Sequence, residues 1–552
     1  MATQAAAAPS ARAAGAGLVL MTLASGQFLM TLDTSVMNVS IATVAKDVGT
    51  TVTGIQGAIT AYTLVMAALM IPGAKVGAMI GRKRAFTIGC VIYGCGSFTT
   101  SIAPNLPVLL FGWSFLEGVG AALILPAIVA LVAGNFPVQR RPAAYGLVAA
   151  AGAIAVATGP LIGGIFTTYF SWRWVFAGEV LIVLAILILS RRIADAPPEK
   201  RPKLDFVGAV LSAVGLALLV FGVLRSGEWG WIKPRPDGPD WWGLSPTIWL
   251  VLAGFGVLWL FLQWETWRQE RGKEPLVQPA LLKNKQLTGG LTMFFFQYLA
   301  QAGLFFVVPL YLSVALGLSA LATGVRLTPL SLTLLAGAIG IPRLRPQANP
   351  RRVVRIGLLM LLLGTVVLLG ALDTDAGPEI VLVPMLLIGF GIGALASQLG
   401  SVTVSAVPDD QAPEVGGIQN TATNLGASLG TAFAGALLIA ALSTSFLTNI
   451  ENNDAIPSRV KSEAQVKLAG GVPFISDADL DQALDEANVP ARARDDAVKA
   501  YQESRITGLK AALAILALMD ILALFLTGRI PKVQPGSAQA STDRAPARAA
   551  TG

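Results

Sequence analysis

No histidine occurs anywhere in this 552-residue chain, and only 13% of its residues are charged. The first absence removes imidazole metal sites, histidine-ligated haem and histidine general bases. The second argues against an ordinary soluble domain, which carries about 25% charge. Cysteine is scarce too. Cys90 and Cys95 lie five residues apart in one apolar run, on different helix faces, and read as small core residues rather than a disulfide. With no metal cluster and no convincing nucleophile set, no metal and no cofactor is expected, and a membrane enzyme is disfavoured.

What is present is apolar. Hydrophobic residues make up 54% of the chain and mean hydropathy is +0.66, so most of the surface must face lipid. A net charge of +8 could suggest a nucleic-acid partner. The basic residues, however, form short clusters between apolar runs rather than one face, so none is expected. The Ala-rich start with Arg12 resembles a secretory signal, but its apolar run is too long and no cleavage site stands out. It reads as an uncleaved first span.

Runs of about 20 apolar residues read as membrane helices. About fourteen are expected, near 16–44, 53–79, 83–102, 106–134, 141–168, 173–193, 205–226, 246–267, 287–316, 321–341, 353–372, 379–406, 415–443 and 506–528. Alternate loops are basic, with Arg82, Lys83 and Arg84 the first cluster, so both termini are expected in the cytoplasm of a multi-pass cell-membrane protein. Two groups of six spans flank a middle pair, and the second loop of each group is strongly basic. The expected fold is therefore all-α: two six-helix bundles (16–193 and 286–528) plus two extra central transmembrane helices within 194–285. Paired bundles with a site at their interface are the architecture of secondary transporters. Residues 197–202 read as the interdomain linker, 1–15 as a cytoplasmic tail and 529–552 as a disordered one. Membrane lipid is the expected surround and a monomer the expected state.

Two other clusters have plain readings. Trp229, Trp231, Trp241 and Trp242 at one end of the middle pair, with Trp264 and Trp267 at the other, form an aromatic belt. In the long external segment 443–505, Asp477, Asp479 and Asp481 invite a calcium-loop reading. Gln482 and Asn488 stand where that loop needs glycine and a bidentate glutamate, so Ser476 capping a short helix with an acidic first turn fits better.

The chemistry sits in the spans. Asp33 stands in an uncharged run that extends from Gly15 to Lys46, and a carboxylate in a membrane-length helix marks an ion or substrate path. Glu117, Glu179 and Asp520 are the other acids set well inside apolar runs. Burial favours the neutral, proton-bound form of a carboxylate, which suits a proton carrier; the bland alternative for each is a structural hydrogen bond to a neighbouring helix. For a small organic substrate, the ninth span offers Gln297, Tyr298 and Gln301 among phenylalanines, a mixture suited to amphipathic or cationic molecules. Asn420 and Asn424, four apart, would face inward together. Asn38, Gln56 and Trp113 complete the candidate set.

Several stretches resemble the major facilitator superfamily, and within it the fourteen-span drug:proton antiporters. The loop carrying Gly73, Gly77, Ala78, Gly81, Arg82, Lys83 and Arg84 resembles the superfamily's signature between the second and third spans. Gly146, Gly159, Pro160, Gly163 and Gly164 resemble the antiporter signature of the fifth span. Leu32-Asp-Thr-Ser-Val-Met-Asn38 resembles the first-helix motif, and Ser171-Trp-Arg-Trp-Val-Phe176 opens the sixth span as in that family. The resemblance implies a proton-coupled multidrug exporter working by alternating access, with protons and substrate competing for Asp33 and Glu117. Export of an endogenous lipid or secondary metabolite, and a transport-inactive sensor or scaffold, are the rival readings. Four departures stand out: Ala78 replaces an acid of the loop signature, Ala155 a glycine, Ser114 the fourth-span arginine, and Glu117 a glutamine. The first weakens the outward-facing lock, is compensated elsewhere, or is an engineered change.

Overall fold

A computed structural model of the chain describes residues 9–136, 140–195, 204–235, 238–407, 411–452, 461, 472–486, 489 and 491–534. The linker at 197–202 lies outside them. Thirteen described helices are long and apolar enough to cross a membrane. In chain order the elements are α1 (Pro9–Asp47), α2 (Val52–Ile80), α3 (Arg82–Ser101) and α4 (106–135, with a π-helical stretch Leu110–Glu117). Then come α5 (Arg141–Tyr169), α6 (Arg173–Ser190), α7 (Phe206–Trp229), α8 (Pro246–Glu270) and α9 (Lys285–Leu310). The last are α10 (Ala320–Leu344), α11 (Pro350–Ala371), α12 (Leu382–Val404), α13 (Ala412–Asn452), α14 (Asp477–Glu486) and α15 (Ala491–Leu526). The fourteenth expected span is α3. Its 20 residues open on Arg82, Lys83 and Arg84 and are rich in Thr, Ser and Gly, which dilutes its hydropathy. It is shielded instead by packing against α4 and α6.

The fold is all-α, with α1–α6 in one half, α9–α13 and α15 in the other, and α7–α8 as the extra pair. The halves meet along α2 against α13 and α5 against α10. Gln56 Nε2 donates to the Thr431 carbonyl (3.0 Å), Ser428 Oγ to that of Thr60 (3.0 Å), and Leu321 N to Thr168 Oγ1 (3.0 Å). The antiporter-like glycines make this closeness possible. A Cβ on Gly159 or Gly163 would strike Ser35 or Val36 of α1, and one on Gly164 the backbone at Ala320 and Leu321. Gly146 is different: it is exposed and a Cβ there would meet no neighbour, so close packing does not explain it.

Several expected boundaries move. α13 and α15 run on as continuous helices into the segment 443–505, and α14 lies between them. Ser476 caps α14 as its sequence suggests, its Oγ accepting from Asp479 N (3.2 Å). Asp477 pairs with the buried Arg505 (2.9 Å), so the acidic turn is tied to α15. The tail is ordered further than its composition suggests: Ile530 is buried and its carbonyl accepts from Arg351 Nε (2.6 Å). Cys90 is a core residue, but Cys95 is exposed on the outer face of α3.

The loop after α8 was not legible in the sequence as a structural part. Leu276 and Val277 are buried with Phe261 of α8, Leu287 and Leu291 of α9, and Val415 and Ile418 of α13; Ile71 of α2 packs on the same cluster. Glu265 Oε2 accepts from Leu276 N (2.6 Å) and Val277 N (3.3 Å). Lys75 of α2 pairs with Glu274 (3.5 Å), and Gln278 donates through both backbone and side chain to Glu414 of α13 (2.9 and 3.0 Å). The loop is a strap joining both halves.

Candidate functional site

Asp33 of α1, Glu117 of α4 and Glu179 of α6 converge. Each offers a carboxylate oxygen within 4.8 Å of the other two, and all three are buried. The convergence depends on close approach of α3 and α4. A Cβ on Gly96 would overlap Glu117, and one on Gly112 would overlap Thr100. The π-helical stretch of α4 carries both Trp113 and Glu117; such stretches are rare and recur at functional sites.

Each acid has a neutral donor within reach, although the Thr100 hydroxyl beside Glu117 is shared with the Gly96 carbonyl (2.9 Å). Trp113 Nε1 donates to Asp33 Oδ1 (2.7 Å), Thr100 Oγ1 to Glu117 Oε1 (3.2 Å) and Ser97 Oγ to Glu179 Oε2 (3.1 Å). Trp113 stacks on Tyr62 (centroids 5.2 Å apart), and the buried hydroxyls of Tyr62 and Tyr93 adjoin the acids. The second oxygen of each acid is buried with no protein partner. The position of the missing fourth-span arginine, Ser114, is turned away, its Oγ donating to the Ala58 carbonyl (2.8 Å).

No cation compensates the cluster among the described residues. Two negative charges 4.8 Å apart repel by about 3–4 kcal/mol even at an effective dielectric of about 20. Three carboxylates at this spacing therefore share protons or bridge a small cation. The orphan oxygens suit either, and the Tyr, Ser and Thr hydroxyls can donate to whichever oxygen is bare.

The other face of α1 borders a different space. Ser35, Asn38 and Val39 line a cleft with Val156 and Pro160 of α5, Phe305 and Pro309 of α9, and Leu327, Leu330 and Ser331 of α10. Asp33 and Ser35 are two residues apart, about 200° around the helix, so α1 stands between acids and cleft. Asp33 does not line this cleft. In this conformation the cleft is closed down to about 10 Å³ of free space, roughly one water.

The remaining candidates divide. Asn38 lines the cleft, its Nδ2 donating to the Thr34 carbonyl (2.8 Å). Gln301 stands one turn before Phe305 on α9, and Gln297 one turn before that, buried with Oε1 unpartnered. Tyr298 is half-buried against the apolar core, and Asn420 and Asn424 are half-buried and bonded to each other (Asn424 Nδ2 to the Asn420 carbonyl, 2.8 Å). Trp113 serves the acid cluster, and Gln56 clamps α2 to α13. In the basic loop, Gly81 has φ +102°, Arg82 reaches the Ala74 carbonyl (2.8 Å), and Lys83 N donates to Asp195 beyond α6 (3.3 Å). Arg84 is exposed, and Ala78 is buried without an acid's charge. Asp520 is buried in α15 with both oxygens unpartnered, apart from the cluster. The sequence reading missed Tyr62, Tyr93, Ser97 and Thr100; their only signal was polar atoms inside the second and third spans.

Comparison with known proteins agrees with this architecture. The family model of the Major Facilitator Superfamily matches residues 23–431. The chain is 30% identical to the probable actinorhodin transporter of Streptomyces coelicolor, over 78% of this chain and 73% of that one. It is 24% identical to the multidrug resistance protein Stp of Mycobacterium tuberculosis, over 93% and 91% respectively. Among solved structures, a bacterial homologue of the human lysosomal transporter Spinster, inward-facing and unoccupied, superposes with TM-score 0.58 at 14% identity, covering 95% of this chain and 98% of that one.

Proposed function

Because the chain belongs to the major facilitator superfamily and is a multi-pass membrane transporter rather than an enzyme, we propose that it is a proton-coupled exporter of amphipathic organic molecules. Protons are exchanged for substrate by alternating access, with both termini cytoplasmic and the bundles 16–193 and 286–528 moving against each other in the lipid. The observation that carries this reading is the buried cluster of Asp33, Glu117 and Glu179. Opened to one side of the membrane, the cluster takes protons. Opened to the other, it releases them. α1 carries the acid on one face and borders the cleft with the other, and the glycines of α5 rest on Ser35 and Val36. Changing the charge on Asp33 therefore shifts the helix against which α5 closes. One proton crossing about 100 mV supplies about 2.3 kcal/mol, a roughly fiftyfold gradient.

The names of the relatives support two cargoes, foreign drugs and the producer's own secondary metabolites. A substrate screen with and without the segment 443–505 separates them. The coupling itself is tested by dye efflux in an exporter-deficient cell. Wild-type efflux collapses with a protonophore, and Asp33→Asn abolishes uphill efflux while the protein still reaches the membrane. Unimpaired uphill efflux by Asp33→Asn sinks the proposal, as does efflux driven by a sodium gradient with no proton gradient.

A further inference from the structure

We infer that the molecule this transporter moves is electrically neutral, held by hydrogen bonds and apolar contacts in the cleft between α1, α5, α9 and α10. The inference rests on the exporter reading and narrows it, since an amphipathic cargo could otherwise be cationic. Every residue lining the cleft is uncharged: Ser35, Asn38 and Ser331 supply its polar edge, and Val, Leu, Pro and Phe side chains the rest. The stripe of α1 that continues from Ser35 carries Thr31 and Gln27, which face Gly152 of α5, and is uncharged as well. On α9 the turns preceding Phe305 carry Gln301 and Gln297, again without charge. The acids that could neutralise an organic cation are spent elsewhere. Asp33 points to the far side of α1, where it accepts from Trp113, and Glu117 and Glu179 sit with it.

A second observation points to a ligand with hydrogen-bonding groups. Ser35 Oγ is buried at the cleft wall with no partner. Buried polar atoms in native proteins are nearly always paired. The Ser35 and Ser331 hydroxyls and the Asn38 amide present donors and acceptors, which match carbonyl and hydroxyl groups on a largely apolar scaffold. A permanent cation in the same place would lose its hydration and find no counter-charge. The rule has an electrical consequence: exchanging protons for a neutral molecule moves net charge in each cycle, whereas one-for-one exchange with a monovalent cation does not.

The test uses the full-length protein in proteoliposomes with an imposed pH gradient and two fluorescent amphipaths, Nile red (neutral) and ethidium (permanently cationic). The expected result is gradient-driven transport of Nile red, with ethidium slower by at least about tenfold, a ratio equivalent to 1.4 kcal/mol. Under a potassium-diffusion potential without a pH gradient, Nile red transport should respond to the sign of the potential. Asn38→Asp, which places a carboxylate on the cleft wall, should raise ethidium transport. Transport of ethidium alone, or of both dyes equally, overturns the inference and leaves the exporter reading standing. Transport of neither dye under a gradient counts against the exporter reading itself.

Discussion

Asp33 was legible because a lone carboxylate in a long uncharged run is costly. Its setting was not, since Glu117 and Glu179 lie 84 and 146 residues further along and only the packing of α1, α4 and α6 brings them together. In the sequence, Ser114 stands where the family has its fourth-span arginine, which left Glu117 as the partner on offer for Asp33. The structure puts the indole of Trp113 against Asp33, a neutral donor that can hold the carboxylate in place without fixing it as an ion. Trp113→Phe keeps an aromatic ring against Tyr62 but removes that donor. A hydrogen bond to a charged group contributes about 1.5–3 kcal/mol, so the steady-state accumulation ratio should fall about tenfold or more while downhill exchange persists. If Trp113 only fills space, the ratio in the phenylalanine variant will match wild type.

At the scale of elements, the glycine spacing of α5 was readable as close packing, and the structure supplies the partners: Ser35 and Val36 on one side, Ala320 and Leu321 on the other. The reciprocal glycine, Gly324 of α10, sits against the Pro160 carbonyl and leaves no room for a methyl. Because the obstacle is backbone, Gly324→Ala should force α5 and α10 apart. Crosslinking of cysteines introduced at Thr168 and Leu321 should weaken and transport should drop; crosslinking as strong as in the glycine parent would show that the contact tolerates the methyl. Other elements were hidden for physical reasons. α3 hides from hydropathy because its shielding is tertiary, and α13 and α15 outrun their apolar cores because a helix does not end where its hydrophobicity does.

Across the whole molecule, two six-helix groups and an intervening pair could be read from the alternation of apolar runs and basic loops. The strap after α8 could not, because it is made of ordinary loop residues whose partners are far away. The Lys75–Glu274 pair, exposed at its glutamate end, adds little; the buried Leu276 and Val277 and the Glu265 carboxylate hold the strap. Glu265→Ala would leave two amides unpaired, at about 1–3 kcal/mol each. Hydrogen exchange at 274–278 should quicken while α3–α6 stay protected. Unchanged exchange there would mean that the apolar cluster alone fixes the strap.

The central claim is that Asp33, Glu117 and Glu179 together bind the coupling protons. It is tested most directly by proton flux into proteoliposomes carrying an internal pH dye, with an amphipathic substrate added outside under an imposed pH gradient. Wild-type protein should show substrate-dependent proton movement, and the triple variant Asp33→Asn, Glu117→Gln, Glu179→Gln, checked for monodispersity, should show none. Substrate-dependent proton flux of wild-type size in the triple variant would contradict the account.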